Sequence, residues 1–512
     1  MKRKIILSIL LSSLMFLSVL NIEVFANDNE RKWEDEIIYF IMVDRFNNGD
    51  TSNDYDVNLN DPLSYHGGDF KGIIDKLDYI KDLGFTAIWL TPIVKNEEKG
   101  YHGYWAEDFY DVEEHFGTLE EFKQLVSEAH KRGIKVILDI VVNHTGYQHP
   151  WLNDPDKKDW FHEPKPIVNF NNQEEVETGQ LAGLPDLNHE NPEVTKYLLD
   201  MAKWWIEETD IDGYRLDTVR HVPKWFWEQF TKEVKSVKED FFLIGEVWHN
   251  DANYVADYAK TGIDSFVDYP FYNEAQRIFS NPDQIVGRLH AIWKRNTTLY
   301  ENANVLGNFI DNHDNTRFTR ISLEKKQDPT LRLKTALTYM YTAPGIPIIY
   351  YGTEVAMDGG NDPDNRRLME FKDHELVNYI SKLGSIRQSY PSLRKGDYEI
   401  LLDKGGLTLY KRSLEDEMVI VAINNTSKDQ SIEITKEQIG ENKQLKSLLN
   451  DQIVNFKHGV ITFNMSKESS DIFIVEGAPS NNIYVLGAIS IVLLIAVIII
   501  FIIIRRKTKI KV

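Results

Sequence analysis

Three apolar runs in this chain lead into carboxylates: Gly213-Tyr214-Arg215-Leu216-Asp217, Ile244-Gly245-Glu246-Val247 and Phe309-Ile310-Asp311-Asn312-His313-Asp314. An apolar strand that emerges into an acid is how a parallel barrel sets carboxylates at its C-terminal mouth. Three in one domain describe a cleft that handles a developing positive charge. Glycoside hydrolysis has that requirement: one carboxyl protonates the leaving oxygen while another attacks or stabilises an oxocarbenium-like centre. Arg215 stands two residues before Asp217, so both project to the same side of the strand. There the guanidinium orients Asp217 and stabilises its charge. Glu246 has carboxylates in the neighbouring runs and Trp248 two residues on, a setting that raises the pKa of a carboxyl.

The elements that must position these acids alternate along the chain. Strand-like runs fall at 37–43, 87–90, 136–142, 211–216, 241–245, 265–267, 305–310 and 346–350. Amphipathic helical runs such as 70–83, 119–131, 193–208 and 331–341 lie between them. Eight strands separated by helices predict an α/β fold, a (β/α)8 TIM barrel, in two parts at 27–143 and 193–391. The polar, non-periodic stretch 144–192 after strand three predicts an inserted, loop-rich domain, because a loop of that length is functional or a small domain. Short strand-like runs with polar turns over 392–476 predict a C-terminal antiparallel β-sandwich domain.

The ends read differently. Lys2, Arg3 and Lys4 precede an apolar run, so residues 1–26 predict a signal peptide. After a spacer at 477–482, residues 483–504 are uncharged and long enough for a transmembrane helix, and the basic tail 505–512 predicts a cytoplasmic end. The expectation is an exported enzyme, anchored in the lipid bilayer by its C-terminal helix and facing outward. The chain has no cysteine, so a staple other than disulfides is needed outside the cell. A formal charge of -21 argues against nucleic acid, whose phosphates it repels. A monomer is expected.

Five motifs occur in order: Asp139-Ile-Val-Val-Asn143-His144, Leu184-Pro-Asp186-Leu-Asn188, Gly213-Tyr-Arg215-Leu-Asp217-Thr-Val-Arg220-His221, Gly245-Glu246-Val-Trp248 and Asn312-His313-Asp314. On these the chain, from about residue 35 to 475, resembles the α-amylase family of retaining glycoside hydrolases. Within it, the tandem Trp204-Trp205, the Leu184–Asn188 stretch and the C-terminal apolar segment resemble surface-attached bacillary amylases. The resemblance implies that Asp217 is the nucleophile, Glu246 the general acid/base and Asp314 the transition-state stabiliser. It implies substrate contacts from Tyr104, His144, Arg215, Arg220, His221, His313, Asp362 and Arg366. Arg220 stands where many amylases have lysine, which alters contacts on the leaving-group side. Trp204 and Trp205 are read as packing.

The resemblance also implies one or two Ca2+ ions. The first would join Asn143, Asp186 and the carbonyl of His221, with Glu174, Glu175 and Glu177 all open as a further ligand. The second would lie among Asn48, Asp50, Asn53, Asp54, Gly67 and Asp69, as in related cyclodextrin glucanotransferases. Oxygen-only donors from separate segments suit calcium. The function implied is endo-acting hydrolysis of internal α-1,4 bonds in starch, glycogen and maltodextrins through a covalent glycosyl-enzyme. The alternatives are an exo-acting α-glucosidase or maltogenic amylase, and a surface glucan-binding scaffold on an amylase fold; a glucanotransferase shares the machinery.

Overall fold

The computed structural model describes residues 31–457, 459–477 and 491–499. Contacts divide the chain into a short unit, 1–33, of which only 31–33 are described, and a large unit, 34–512. The architecture below is that of the large unit.

Eight parallel strands form its centre: β1 (Ile38–Ile41), β2 (Ala87–Leu90), β3 (Lys135–Ile140), β4 (Gly213–Leu216), β5 (Phe242–Gly245), β6 (Ser265–Phe266), β7 (Gly307–Asn308) and β8 (Ile346–Tyr350). They hydrogen-bond in the order β6-β5-β4-β3-β2-β1-β8-β7. A parallel bridge between Val267 and Gly307 joins the two ends, so the sheet closes as a TIM barrel. β1, β2, β4, β5 and β8 are buried at every position, as strands covered on both faces must be. Their Ile, Leu, Tyr, Phe and Trp side chains each contribute about 1.5–3 kcal/mol by leaving water.

The covering helices carry local start signals. α1 (Phe70–Asp82) is capped by Asp69, whose side chain accepts from Gly72 N. α2 (Leu119–Lys131) begins with a capping box of Thr118 and Glu121. α3 (Pro192–Thr209) has Asn191 as its cap and proline at its first turn. It buries Trp205, whose Nε1 donates to Phe109 O at 2.9 Å, while Trp204 packs on Tyr110. Both tryptophans therefore serve packing. α4 (Lys224–Val237) buries Phe226, Trp227 and Phe230 against the barrel.

Between β3 and α3 the chain forms short 3-10 turns and one short helix, Gln173–Thr178. Antiparallel bridges at His144–Asp186 and Phe161–Leu187 fold this stretch back on itself. The C-terminal strands form an antiparallel six-stranded sheet, with β9 (Asp397–Lys404), β10 (Leu407–Leu414), β11 (Glu417–Asn424), β13 (Lys443–Ser447), β14 (Ile453–Asn455) and β16 (Ser469–Gly477). A separate pair, β12 (Gln430–Thr435) and β15 (Val460–Met465), shares its core, where Ile432 and Ile461 meet Ile420 and Leu445. Arg412 fastens this domain to the barrel by donating to Thr342 O at 2.7 Å.

The expectation about location is corrected. The predicted signal peptide 1–26, the spacer beyond residue 477 and the tail 505–512 lie outside the described residues. Of 483–504 only 491–499 are described, as helix. A span needs about 20 residues, and among the described residues no helix is long and apolar enough to cross a membrane.

Candidate active site

Strand register explains the chemistry at the barrel mouth. Asp139 and Arg215 are partners between β3 and β4, and Arg215 Nη1 meets both Asp139 oxygens at 3.0 Å. The same Nη1 donates to Asp217 Oδ1 at 2.6 Å, and Nη2 pairs with Glu246 Oε1 at 2.5 Å. One fully buried guanidinium thus touches all three acids. Asp217 Oδ2 is buried without a hydrogen-bond partner among the described residues, and Asp217 lines a cleft of about 580 Å³. That leaves one oxygen of Asp217 held and the other open to a reacting atom.

Glu246, which follows the last residue of β5, is held from both sides. Thr218 N donates to its Oε2 at 3.2 Å and the Tyr269 phenol donates to its Oε1 at 3.0 Å. Thr218 reaches this position by adopting left-handed backbone angles, φ 44° and ψ 42°, which cost a β-branched residue about 1–3 kcal/mol. Burial pushes the Glu246 carboxyl up to about 7; Arg215 opposes this, and Asp217 and Asp314 add to it. The apolar wall expected from Trp248 has a different form. Trp248 is half exposed and stacks on Tyr269 at 5.2 Å, so Tyr269 is the ring that touches Glu246. Nothing local in the sequence marks Tyr269.

Asp314 lines the same cleft, with Oδ1 at 3.3 Å from Arg366 Nη2. Arg366 also pairs with Asp362 at 3.1 Å and donates to His313 O at 2.8 Å. His144, His221 and His313 are buried and line the cleft. Burial lowers all three, His221 to about 4, so they present neutral imidazoles. His144 Nε2 and His313 Nδ1 have no partner among the described residues, which suits hydrogen bonding to a hydroxylated ligand. Tyr104 donates to Asp139 Oδ2 at 2.8 Å and stacks flat on His313 at 5.2 Å. Arg220 lines the cleft, but Nη1 donates to Trp248 O at 3.2 Å and Nη2 to Phe170 O at 2.6 Å. Two of its three donor groups thus hold cleft loops in place. Tyr147, Phe170 and His102 also line the cleft; sequence reading passed over them because isolated aromatics in a loop carry no spacing signal.

The calcium expectations can be tested on the donor atoms. Among the described residues Asn143 Oδ1 and Asp186 Oδ1 are buried without hydrogen-bond partners, and Leu187 N donates to Asn143 O at 2.9 Å, placing the two segments together. Two orphaned oxygens side by side fit a hard cation. Of the open candidates, Glu175 accepts from Asn169 N at 2.9 Å and Glu177 from Gln173 Nε2 at 2.6 Å. In the second cluster Asp69 accepts from Gly49, Asp50 and Gly72 N, and Asp50 pairs with Lys71. Asn53 Oδ1 is buried without a partner among the described residues, and the Asn48 amide donates to Asp54 at 2.8 Å. Turning that amide would present an oxygen instead, so this cluster fits a cation through fewer donors. Among the described residues no group of three or more His, Cys, Asp and Glu side chains is arranged to hold a metal; both clusters rely on asparagine and backbone oxygens.

A family model described as "Alpha amylase, catalytic domain" matches residues 40–448. An Anoxybacillus α-amylase structure superposes with a TM-score of 0.87 and 62% identity, covering 88% of this chain and 100% of that one. The acarbose complex of the Geobacillus thermoleovorans α-amylase follows with a TM-score of 0.85 and 55% identity, covering 88% and 100%. Among curated relatives, a β/α-amylase of Paenibacillus polymyxa is 40% identical over 86% of this chain, which spans only 38% of that protein's length. A cyclomaltodextrinase of Thermoanaerobacter pseudethanolicus is 36% identical over 80% of this chain and 74% of its own. An intracellular maltogenic amylase of Bacillus subtilis is 34% identical over 83% and 74%. These relatives do not support a special kinship with surface-attached bacillary amylases. Together with the lack of a described spanning helix, they overturn the expected cell-surface anchoring.

Proposed function

The chain belongs to the α-amylase family, and from that premise we propose that it hydrolyses α-1,4-glucosidic bonds of α-glucans with retention of configuration. The observation that carries this reading is Arg215, whose guanidinium holds Asp217 and Glu246 within its own span. Carboxyls that close suit a double displacement, for which about 5–5.5 Å separates the pair. Asp217 Oδ2 attacks the anomeric carbon while protonated Glu246 gives its proton to the departing glycosidic oxygen. The bond formed is a glycosyl ester of Asp217; the bond broken is the C–O bond to the leaving sugar. Glu246, now ionised, takes a proton from water, whose oxygen attacks the same carbon and frees Asp217. Asp314, seated by Arg366, stabilises the positive charge at both transition states. His144 and His313 bind sugar hydroxyls, and Asp362 and Arg366 close the non-reducing side.

A Ca2+ ion at Asn143, Asp186 and the His221 carbonyl would tie the inserted stretch to the cleft wall, and one at the Asn48–Asp69 cluster would stiffen the loop before α1. Either ion would supply structural cross-linking.

Where the chain cuts is the finer question. Several curated relatives are named cyclomaltodextrinase or maltogenic amylase, which favours release of short, maltose-sized products over the free-ranging internal cleavage read from the motifs. The two solved neighbours carry the name α-amylase. Maltoheptaose blocked at its non-reducing end decides between the modes. Cleavage of unblocked chains alone supports the short-product reading; early internal cuts in the blocked substrate overturn it.

A further inference from the structure

Two tryptophans among the described residues are exposed by more than a third, Trp248 at 49% and Trp225 at 38%. Each borders a cavity. Trp248 lines the catalytic cleft, and Trp225 lines a groove of about 490 Å³ between α3 and α4. At the edge of that groove the Trp225 indole presents a flat apolar face with a polar N–H edge, a surface on which a ring can stack.

Trp225 and Gln229 stand one turn apart on α4, and Thr195 and Leu199 one turn apart on the facing side of α3. Residues at that spacing share a helix face. Farther along, Lys203 and Glu233 form an ion pair of 2.9 Å across the two helices, and Lys203 also meets Asp200 at 3.4 Å. The groove therefore offers one flat aromatic face, a half-buried leucine, an amide and a hydroxyl. The other charges of the lining are paired too, Lys196 with Asp200 and Glu190 with His162. That lining disfavours an ionic ligand, which would have to break the pair, and suits a neutral polyhydroxylated ring with C–H groups for the indole and hydroxyls for the polar edges.

We infer that this groove is a second α-glucan-binding site, distinct from the catalytic cleft and resting on the α-glucan reading above. Its position supports polymeric rather than short substrates. Trp225 lies four residues after His221, which lines the cleft, so their Cα atoms are at most about 15 Å apart. One glucan chain can occupy both sites, and holding it at the second raises its effective concentration at the first.

Affinity electrophoresis of the full chain through glycogen, together with turnover of 4-nitrophenyl maltotrioside, tests this. In the Trp225→Ala protein the apparent Kd for glycogen should rise on the order of tenfold while trioside turnover stays at the parental value, and Trp225→Phe should restore most of the retardation. Equal retardation of parent and Trp225→Ala, at equal thermal stability, overturns the inference. So does a parallel loss of retardation and trioside turnover, which would make Trp225 a support of the catalytic cleft. Should the parent bind glycogen through Trp225 yet cleave neither substrate, the groove stands and the hydrolase reading falls.

Discussion

The phenol of Tyr269 donates to Glu246 Oε1 at 3.0 Å, from 23 residues farther along the chain and from the start of the helix after β6. A donor at that oxygen favours the ionised carboxylate and leaves the other oxygen, Oε2, to carry the proton. Removing it in Tyr269→Phe should raise the Glu246 pKa, moving the alkaline limb of kcat/KM upward by as much as about one pH unit. It should also cut kcat at neutral pH about tenfold, the value of roughly one hydrogen bond to a charged group. A pH–rate profile that leaves the limb in place would show that Tyr269 only packs.

Glu246 sits at about 7 because burial penalises its charge. The acid must be protonated to deliver its proton, so activity falls as pH rises through that value. We expect the alkaline limb of kcat/KM near pH 7 in the parental enzyme. A limb beyond pH 9 would assign proton donation to another group.

Arg215 is a buried cation whose ion pairs are all with buried acids: Asp139, Asp217 and Glu246. Its removal leaves these carboxylates unpaired, and breaking a buried pair costs about 3–5 kcal/mol. Arg215→Ala should therefore lose both stability and activity. Arg215→Lys keeps the charge but not the fork; we expect it to fold and to retain about 1% or less of kcat, since one misplaced charge-stabilising donor costs about 10²–10³. Thermal unfolding and turnover on maltoheptaose separate the two effects.

In the absence of a cation, burial pushes the Asp186 carboxyl up to about 7. A bound Ca2+ requires its ionised form, so affinity should weaken as pH falls below 7. Saturating Ca2+, at about 100 times its Kd, adds about 2.7 kcal/mol and should raise the unfolding temperature by several degrees. Asp186→Ala should lose most of that response. An EDTA-treated enzyme that unfolds at the same temperature with and without Ca2+ would remove calcium from the account.

How far the sequence could be read follows from where each signal is stored. β2 (Ala87–Leu90) and β8 (Ile346–Tyr350) fall on their expected residues because a buried parallel strand is a continuous apolar run. β7 shrinks to Gly307–Asn308 from an expected 305–310, since barrel closure there needs one bridge to Val267 and the chain then turns outward with its acids. Asp217, Glu246 and Arg215 were legible because each belongs to a local motif at a strand end. Tyr269 and the left-handed turn at Thr218 were not, because their roles exist only once β4, β5 and β6 are neighbours. Arg220 shows the reverse: its motif points at the substrate, whereas the fold turns two donor groups toward the carbonyls of Phe170 and Trp248.

The most direct test of Asp217 as nucleophile is the anomeric configuration of the first product. Proton NMR of maltoheptaose hydrolysis, read before mutarotation, should show the α-anomer appearing first, and Asp217→Asn should abolish its formation. Initial release of the β-anomer would mean a single displacement by water and would contradict the account.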